Sequence, residues 1–232
     1  MTPRDHAPLD NPAWHALNSH HAGLAVGDAL AKRYPPRVTP FAAFAEPSEP
    51  AYASLAATLD GQSRVAILLD VPSDPPAGWR VVAAHPITQM VWEGGALPPA
   101  AIAAIEQMAP SDVAGMVALA ELTKPGPMAE RVLELGNYYG VRQGARLAAI
   151  AGERLHPTGY TEVSGVCTHP DFRGRGYAGQ LVTSLVRRIT ARGETPFLHL
   201  KTDNNAALRV YESLGFRTRR FINLLVTEPP VR

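Results

Sequence analysis

The feature that most constrains this chain lies within residues 160–201, where four kinds of local sequence follow one another. A strand-like run at 160–168 leads into the loop HPDFRGRG. An apolar run with helical periodicity follows at 177–192, and a second strand-like run follows at 197–201. A strand, a glycine-rich loop, a helix and a further strand in this order predict a right-handed crossover inside a mixed sheet.

Periodicity and turn residues predict the elements on either side of this unit. Before it we expect helices at 51–60, 111–123 and 128–135, and strands at 64–71, 80–84, 87–92, 102–108, 138–142 and 146–155. After it we expect a helix at 206–214 and a strand at 216–226. The fold class is therefore α/β, with a mixed, mostly antiparallel sheet and helices on both faces.

The stretch EGGALPPAA at 93–101 is rich in glycine and proline, and such stretches are typical of linkers between domains. We therefore expect a smaller α/β lobe over 1–95 and a second domain over 96–232. A chain of 232 residues is long enough for either one large domain or two small ones.

Composition and charge exclude several classes of protein. The formal net charge of +1 gives no electrostatic basis for binding nucleic acid or an anionic membrane. A single cysteine, Cys167, excludes an internal disulfide framework and fits a reducing compartment. The first ten residues, MTPRDHAPLD, are too polar for a signal peptide or a spanning helix. We expect a soluble, cytoplasmic protein.

No histidine, cysteine or carboxylate spacing in the amino-terminal part is typical of a metal site, and we expect no metal. His20 and His21 are adjacent in a polar segment. Neighbouring side chains point in different directions, so we expect these two histidines to be exposed and not to act as ligands.

The loop itself predicts an anion site. A glycine-rich loop that enters a helix exposes backbone N–H groups, and Arg173 and Arg175 add positive charge beside Gly174 and Gly176. With Gly179 these glycines also spell GxGxxG, the dinucleotide motif. That motif starts directly after its strand, whereas five residues separate strand and glycine here, so the context argues against a dinucleotide fold.

Two segments carry a resemblance to a known family. Residues 173–178, RGRGYA, resemble the acyl-CoA-binding motif of the GNAT superfamily of acetyl-CoA-dependent N-acetyltransferases. Downstream, DNNAALRVYESLGF resembles that family's second signature through Asn204, Tyr211, Gly215 and Phe216. The resemblance covers about 102–227, and the predicted order of elements there is also the family's order. Residues 1–95 resemble the amino-terminal extension of some two-lobed acetyltransferases.

The resemblance implies acetyl-CoA as cosubstrate and an amine as acceptor, attacked directly in a ternary complex. Strand 160–168 would pair with the pantetheine arm, and the loop amides would hold the pyrophosphate. The cofactor-binding residues would be Val166, Cys167, Thr168, Arg173, Gly174, Arg175, Gly176, Tyr177, Ala178 and Asn204. Asn204 could instead simply cap the following helix.

Acetyl transfer to an amine needs a base for the ammonium proton, a donor for the oxyanion and an acid for the leaving thiolate. In the histone-acetylating branch of the family, the base glutamate occupies the place that corresponds to Glu162, so the resemblance makes Glu162 the candidate base. Glu153 is the reserve candidate. The alternative is a chain of water molecules with no dedicated base. A free backbone N–H near Val166 or Thr168 would donate a hydrogen bond to the oxyanion. The resemblance makes Tyr211 the candidate acid, and a packed core aromatic is the alternative.

Two other functions stay open. Cys167 and His169 stand two residues apart on a strand and could form a thiolate–imidazole pair, which would indicate a cysteine-dependent acyltransferase or thiol hydrolase. The other possibility is a CoA-binding regulatory module without catalysis.

Overall fold

The structure is a computed structural model that describes residues 6–59, 64–70, 74–99 and 103–230. Its strands are β1 (Val26–Gly27), β2 (Ala31–Arg33), β3 (Phe41–Phe44), β4 (Val65–Leu69), β5 (Arg80–Trp92), β6 (Glu106–Gln107), β7 (Tyr138–Gln143), β8 (Arg146–Glu153), β9 (Tyr160–Thr168), β10 (Thr195–Lys201) and β11 (Phe216–Glu228). Its α-helices are α1 (Pro12–Leu17), α2 (Glu49–Ala57), α3 (Val113–Thr123), α4 (Tyr177–Ala191) and α5 (Asn205–Ser213). In these described ranges, no helix combines the length and the apolar character that crossing a membrane requires.

The strands in the described residues form one mixed sheet, in the order β1-β2-β3-β4-β11-β5-β10-β9-β8-β7-β6. Two neighbouring pairs, β3–β4 and β9–β10, are parallel, and the other pairs are antiparallel. This confirms the predicted fold class. It also confirms the crossover, because α4 connects the parallel neighbours β9 and β10.

The two predicted segments share this sheet. Strand β5 belongs to the first segment, yet it pairs with β10 on one side and β11 on the other. Strands β1 to β4 extend the same sheet beyond β11. The division into two domains near residue 95 stays a prediction. It does not separate two sheets, because strands from both segments form one sheet.

Two predicted strand regions differ from the structure. Residues 80–92 form one strand where we expected two, although Pro86 cannot donate a hydrogen bond. The pairing of β5 with β10 extends only as far as Ile87, so the missing N–H falls where that partner ends. The expected strand at 102–108 is reduced to Glu106–Gln107, and its first residue lies outside the described residues.

The helix expected at 128–135 is wrong. That segment contains only a 3-10 turn, Val132–Glu134, next to Gly136. An eight-residue helix is marginal without tertiary support. Val132 and Leu135 are both buried, and their spacing of three residues is the spacing that a 3-10 turn brings to one face.

Helix α4 follows its prediction closely. Its apolar side chains recur at helical spacing, and Leu181, Leu185 and Ile189 are fully buried. Gly193, just after the helix, has a φ of +81°, the left-handed conformation that commonly ends helices. The helix packs on β8, β9 and β10, and so places its first turn beside the end of β9.

The core lies on both faces of the sheet. On the face that α4 and α5 cover, the buried cluster includes Val163, Leu198 and Phe216. On the opposite face, residues of the amino-terminal segment and α3 cover Tyr160, Cys167 and Phe197. We call these the α4 face and the amino-terminal face. Side chains of alternate β9 residues therefore enter different environments.

We predict that Gly152→Ala destabilises the protein by about 1–3 kcal/mol, because a Cβ there would overlap the ring of Tyr138 on β7. Gly115→Ala is the matched control, since its Cβ would meet open space on α3 and alanine favours a helix. Urea unfolding of both variants measures the effect. Equal stability of the two would contradict the packing described here.

Candidate active site

The central feature of the site is a gap between β9 and β10. These parallel strands pair only at Thr195 with Tyr160, Pro196 with Thr161 and Phe197 with Glu162. Beyond Glu162, β9 continues to Thr168 along β8, but its other edge has no strand partner in the described part of the chain. An extended molecule could pair with this open edge as an added strand would.

Two amides on β9 point into the gap. On the paired edge, the N–H of His169 donates to the carbonyl of Ala148 on β8 at 2.8 Å. Because successive N–H groups along a strand point to opposite edges, those of Val166 and Thr168 point towards the gap. The register of β9 on β8 shifts just before them, near Gly165, whose φ is +63°. This bulge turns the N–H groups of Val166 and Thr168 towards the gap.

The loop between β9 and α4 depends on two left-handed glycines. Gly174 has a φ of +77° and Gly176 a φ of +74°, a region that other residues adopt only with strain. Gly176 is the N-cap of α4, so the free N–H groups of the first helical turn follow it directly. A Cβ at Gly174 would meet open space, which leaves the backbone accessible to a ligand.

A cleft of about 500 Å³ lies between this loop and α5. Seven of the ten predicted cofactor-binding residues line it: Thr168, Arg173, Gly174, Arg175, Gly176, Tyr177 and Ala178. The sequence interpretation missed five further lining residues: Phe172, Gly179, Ala206, Ala207 and Val210. Gly179 was visible as the third glycine of GxGxxG, whereas the α5 residues have no signal of their own in the sequence.

The cleft is electropositive. Within the described residues, neither Arg173 nor Arg175 forms an ion pair, so both charges are available to a ligand. The guanidinium of Arg175 lies 5.3 Å from the centre of the Phe172 ring, which holds it at the loop. The amino terminus of α4 adds a partial positive charge. An anion such as a pyrophosphate fits this arrangement.

Glu162 is fully buried on the amino-terminal face, at the point where the gap begins. The guanidinium of Arg154 donates two hydrogen bonds to its carboxylate, at 2.6 and 2.9 Å. The Nδ1 of His199 on β10 lies 2.7 Å from the same carboxylate. Its Nε2 lies 3.0 Å from the amide nitrogen of Gln89, so the ring donates to Glu162 and accepts from Gln89.

These contacts determine the charge of Glu162. Burial alone would raise the pKa of this carboxyl group, but the charge of Arg154 and the hydrogen bonds from Arg154 and His199 lower it to about 2. The carboxylate is therefore ionised at neutral pH. It is also a weak proton acceptor, because a general base works best when its pKa is near the working pH.

Glu153, the reserve base, lies elsewhere. It pairs with Val163 in the β8–β9 ladder and therefore lies on the α4 face, opposite to Glu162. Its carboxylate accepts hydrogen bonds from Asn137 and from Arg192, just after α4. The carboxylate is 1% exposed and fully engaged, so this geometry does not support a role in proton transfer.

Tyr211 lies on α5 and packs on the α4 face, with its ring edge-on to Phe216 at 6.0 Å between centres. Burial raises the pKa of its phenol to about 12, so the hydroxyl keeps its proton at neutral pH. No hydrogen bond to this hydroxyl occurs among the described residues. The neighbouring Val210 lines the cleft, but Tyr211 itself lies just outside its lining.

Three predicted binding residues also lie outside the cleft lining. Asn204 is the N-cap of α5, and its side chain accepts a hydrogen bond from the amide of Ala207 at 3.1 Å. Capping therefore accounts for its position. Val166 and Cys167 belong to β9, so any contact with an extended ligand in the gap would come from their strand and not from the cleft.

The thiolate–imidazole alternative is not supported by the geometry. The Cys167 thiol is buried against Thr123 on the amino-terminal face, and burial raises its pKa to about 11, so no thiolate forms at neutral pH. The ring of His169 accepts from the amide of Asp171 and faces Arg146. No contact joins Cys167 and His169 in the part of the chain described here.

Comparisons with known proteins agree with this geometry. The model of the family "FR47-like protein" matches residues 138–224. The crystal structure of an acetyltransferase from the GNAT family of Novosphingobium aromaticivorans aligns with a TM-score of 0.89. It is 40% identical and covers 97% of this chain and 99% of that chain.

More distant relatives match in part. The N-alpha-acetyltransferase RimI of Mycobacterium tuberculosis is 38% identical over 85 residues, which is 35% of this chain and 52% of RimI. The chain thus spans about half the length of this curated relative. A GCN5-related N-acetyltransferase from Kribbella flavida, 15% identical with a TM-score of 0.58, covers 94% of this chain and 95% of its own and shares the fold. The names of these relatives favour catalysis over a non-catalytic regulatory module.

We predict that Glu162 makes stability depend on pH in a specific window. Its pKa is about 2 in the folded protein against an ordinary value of 4.5, so its stabilisation, on the order of 3 kcal/mol, is fully present above pH 4.5. It is lost as the pH falls from about 4.5 towards about 2. Guanidinium unfolding at about pH 6 and about pH 3 should therefore show a smaller difference between wild type and Glu162→Gln at the lower pH.

The control for this prediction is Glu121→Gln, because Glu121 is an exposed carboxylate on α3. Its difference from wild type should stay near zero at both pH values. A constant difference between wild type and Glu162→Gln across the window would contradict the buried ion pair.

Proposed function

The chain belongs to the GNAT family of acetyltransferases, and from this premise we propose that it transfers an acetyl group from acetyl-CoA to a primary amine. The observation that carries the proposal is the cleft at the start of α4, which opens beside the unpaired edge of β9. The cleft suits the pyrophosphate, and the edge suits the extended pantetheine arm. A nucleotide without such an arm would use only the first of these features.

In this proposal the loop holds the diphosphate through backbone amides of residues 173–178 and through the two free arginines. The pantetheine arm lies along β9 and brings the thioester into the gap between β9 and β10. The amides of Val166 and Thr168 point into the same gap. One of them would donate to the oxyanion as the amine nitrogen attacks the carbonyl carbon.

The ammonium proton must leave before attack, since an alkyl ammonium with a pKa near ~10 is not a nucleophile. Direct transfer to Glu162 stays a prediction, and the low pKa of this carboxylate argues against it. Its contacts better support a positioning role, in which Glu162 keeps Arg154 and His199 in place while water carries the proton away. This corresponds to the water-chain alternative.

Tyr211 is the proposed acid. As the carbon–sulfur bond breaks, its phenolic proton would pass to the departing thiolate and yield free CoA. The Tyr211 phenol keeps its proton at neutral pH, so a proton is present when the thiolate leaves, although the raised pKa makes this phenol a weaker acid than an ordinary one. Its position on α5, next to a residue that lines the cleft, also supports the role.

The acceptor would approach from the amino-terminal face. Leu9, Tyr34 and Phe41 of the first segment pack over this face, where Glu162 also lies. We therefore assign acetyl transfer to residues 96–232 and the shaping of the acceptor site to residues 1–95. The name of the relative RimI indicates an N-alpha amine as its acceptor, which supports a primary amine here. We place the reaction in the cytoplasm, where acetyl-CoA is available.

We predict that Gly179→Glu weakens acetyl-CoA binding about 100-fold, because a carboxylate in the cleft would repel the diphosphate. Its side chain would enter open space at a helical φ, so the fold should be retained. Gly115→Glu is a close control, because it also stands at the third position of its helix and faces open space. Calorimetry should show tight acetyl-CoA binding by wild type and the control, and no tight binding of NAD.

If Gly179→Glu bound acetyl-CoA with wild-type affinity, the proposal that the cleft holds the diphosphate would be contradicted. Tight binding of NAD without binding of acetyl-CoA would overturn the proposed cosubstrate.

We predict that Tyr211→Phe lowers kcat by about 10² to 10⁴ while the affinity for acetyl-CoA changes little. The ring and its packing on Phe216 are kept, and only the hydroxyl is lost. Steady-state kinetics with an amine found active in a panel gives the measurement. The defect should shrink with an acyl donor whose thiol is more acidic, and a wild-type kcat would make Tyr211 a packing residue.

A further inference from the structure

Three side chains from separate parts of the sequence meet near the carboxyl end of α4. His20 follows α1, His156 lies in the turn between β8 and β9, and Glu194 lies between α4 and β10. One ring nitrogen of each histidine and one carboxylate oxygen of Glu194 lie within 4.8 Å of one another. The 15 residues of α4 rise about 1.5 Å each, so about 22 Å separates this cluster from the glycine loop.

The two imidazoles are free of hydrogen bonds within the described residues. His156 is only 9% exposed, and its Nε2 has no hydrogen-bond partner. His20 is exposed, and its ring lies 6.1 Å from that of His156 between centres. A buried polar atom without a partner is costly and uncommon in folded proteins. The unpartnered Nε2 of His156, next to two further donor groups, fits a ligand bound at this cluster.

The surroundings suit a cation. Glu194 accepts a hydrogen bond from Thr161 at 2.5 Å, which orients its carboxylate. The carboxylate of Glu153 lies 3.9 Å from the Nε2 of His156 and adds negative charge beside the cluster.

Among the described residues, Arg192 is the nearby group that opposes a cation directly. Its guanidinium bonds to Glu153 at 2.8 Å and to Glu194 at 3.1 Å. The Arg192 side chain is 38% exposed, so it can turn towards solvent when a metal ion binds the carboxylate of Glu194 in its place.

We propose that His20, His156 and Glu194 bind a zinc ion. Two imidazoles and one carboxylate, with a position left for water, form a donor set that Zn²⁺ takes in proteins. Tetrahedral ligands at normal zinc distances lie roughly 3.4 Å apart. The present spacing of up to 4.8 Å therefore has to close by up to about 1.4 Å, which the exposed ring of His20 allows.

The site would not take part in acetyl transfer, because it lies at the opposite end of α4 from the cleft. A zinc ion there would join the segment after α1 to the turn between β8 and β9 and to the turn between α4 and β10. It would therefore fasten the amino-terminal segment to the body of the protein. This differs from the expectation of no metal, which considered only spacing along the sequence.

The test is a Zn²⁺ titration of the metal-free, full-length chain by calorimetry, with thermal unfolding as a second readout. Wild type should bind one Zn²⁺ and unfold at a higher temperature in its presence. His20→Ala should weaken binding by at least about tenfold and lose the thermal shift. His15→Ala, an exposed histidine on α1, is the matched control and should behave as wild type.

Because His20 is exposed, its replacement should leave the fold intact, which circular dichroism of both variants checks. Absence of Zn²⁺ binding by wild type, or equal binding by wild type and His20→Ala, would overturn the proposal.

Discussion

The buried carboxylate of Glu162 is the interaction on which the structure around the site depends. It connects Arg154, just after β8, with His199 on β10, while Glu162 itself belongs to β9. Main-chain pairing between β9 and β10 stops at this residue. Side chains therefore hold the three strands together where the backbones begin to separate. Removing one partner would leave a buried charge unpaired, which typically costs ~3–5 kcal/mol.

The same network ties the amino-terminal segment to the gap. The Nε2 of His199 accepts a hydrogen bond from the side-chain amide of Gln89 on β5. The same amide also donates to the carbonyl of Leu9 at 2.9 Å. The guanidinium of Arg154 lies 4.7 Å from the centre of the Phe41 ring. The first segment thus completes the polar interior of the sheet in addition to covering it. Under the proposed function, these contacts would let residues outside the two family signatures shape the acceptor side of the site.

Sequence interpretation worked where a property is local. The left-handed glycines, the helix that follows them and the arginines between them were all visible in one short stretch, and the structure places them around one cleft. It failed where a property depends on neighbours. Strand spacing left a pair of Cys167 with His169 open as an alternative, but the Cys167 thiol packs on Thr123 of α3. His21 was expected to be exposed, but it is buried and lies 2.8 Å from the hydroxyl of Tyr34.

The sequence by itself determined the order of strand, loop and helix around residue 174, because periodicity and glycine φ preferences act over a few neighbouring residues. Only the tertiary structure decided that β5 lies between β10 and β11 and that Glu162 is held ionised by Arg154 and His199. It alone brought His20, His156 and Glu194 together. Burial, ion pairing and ligand geometry arise from contacts between distant parts of the chain, and no local pattern encodes them.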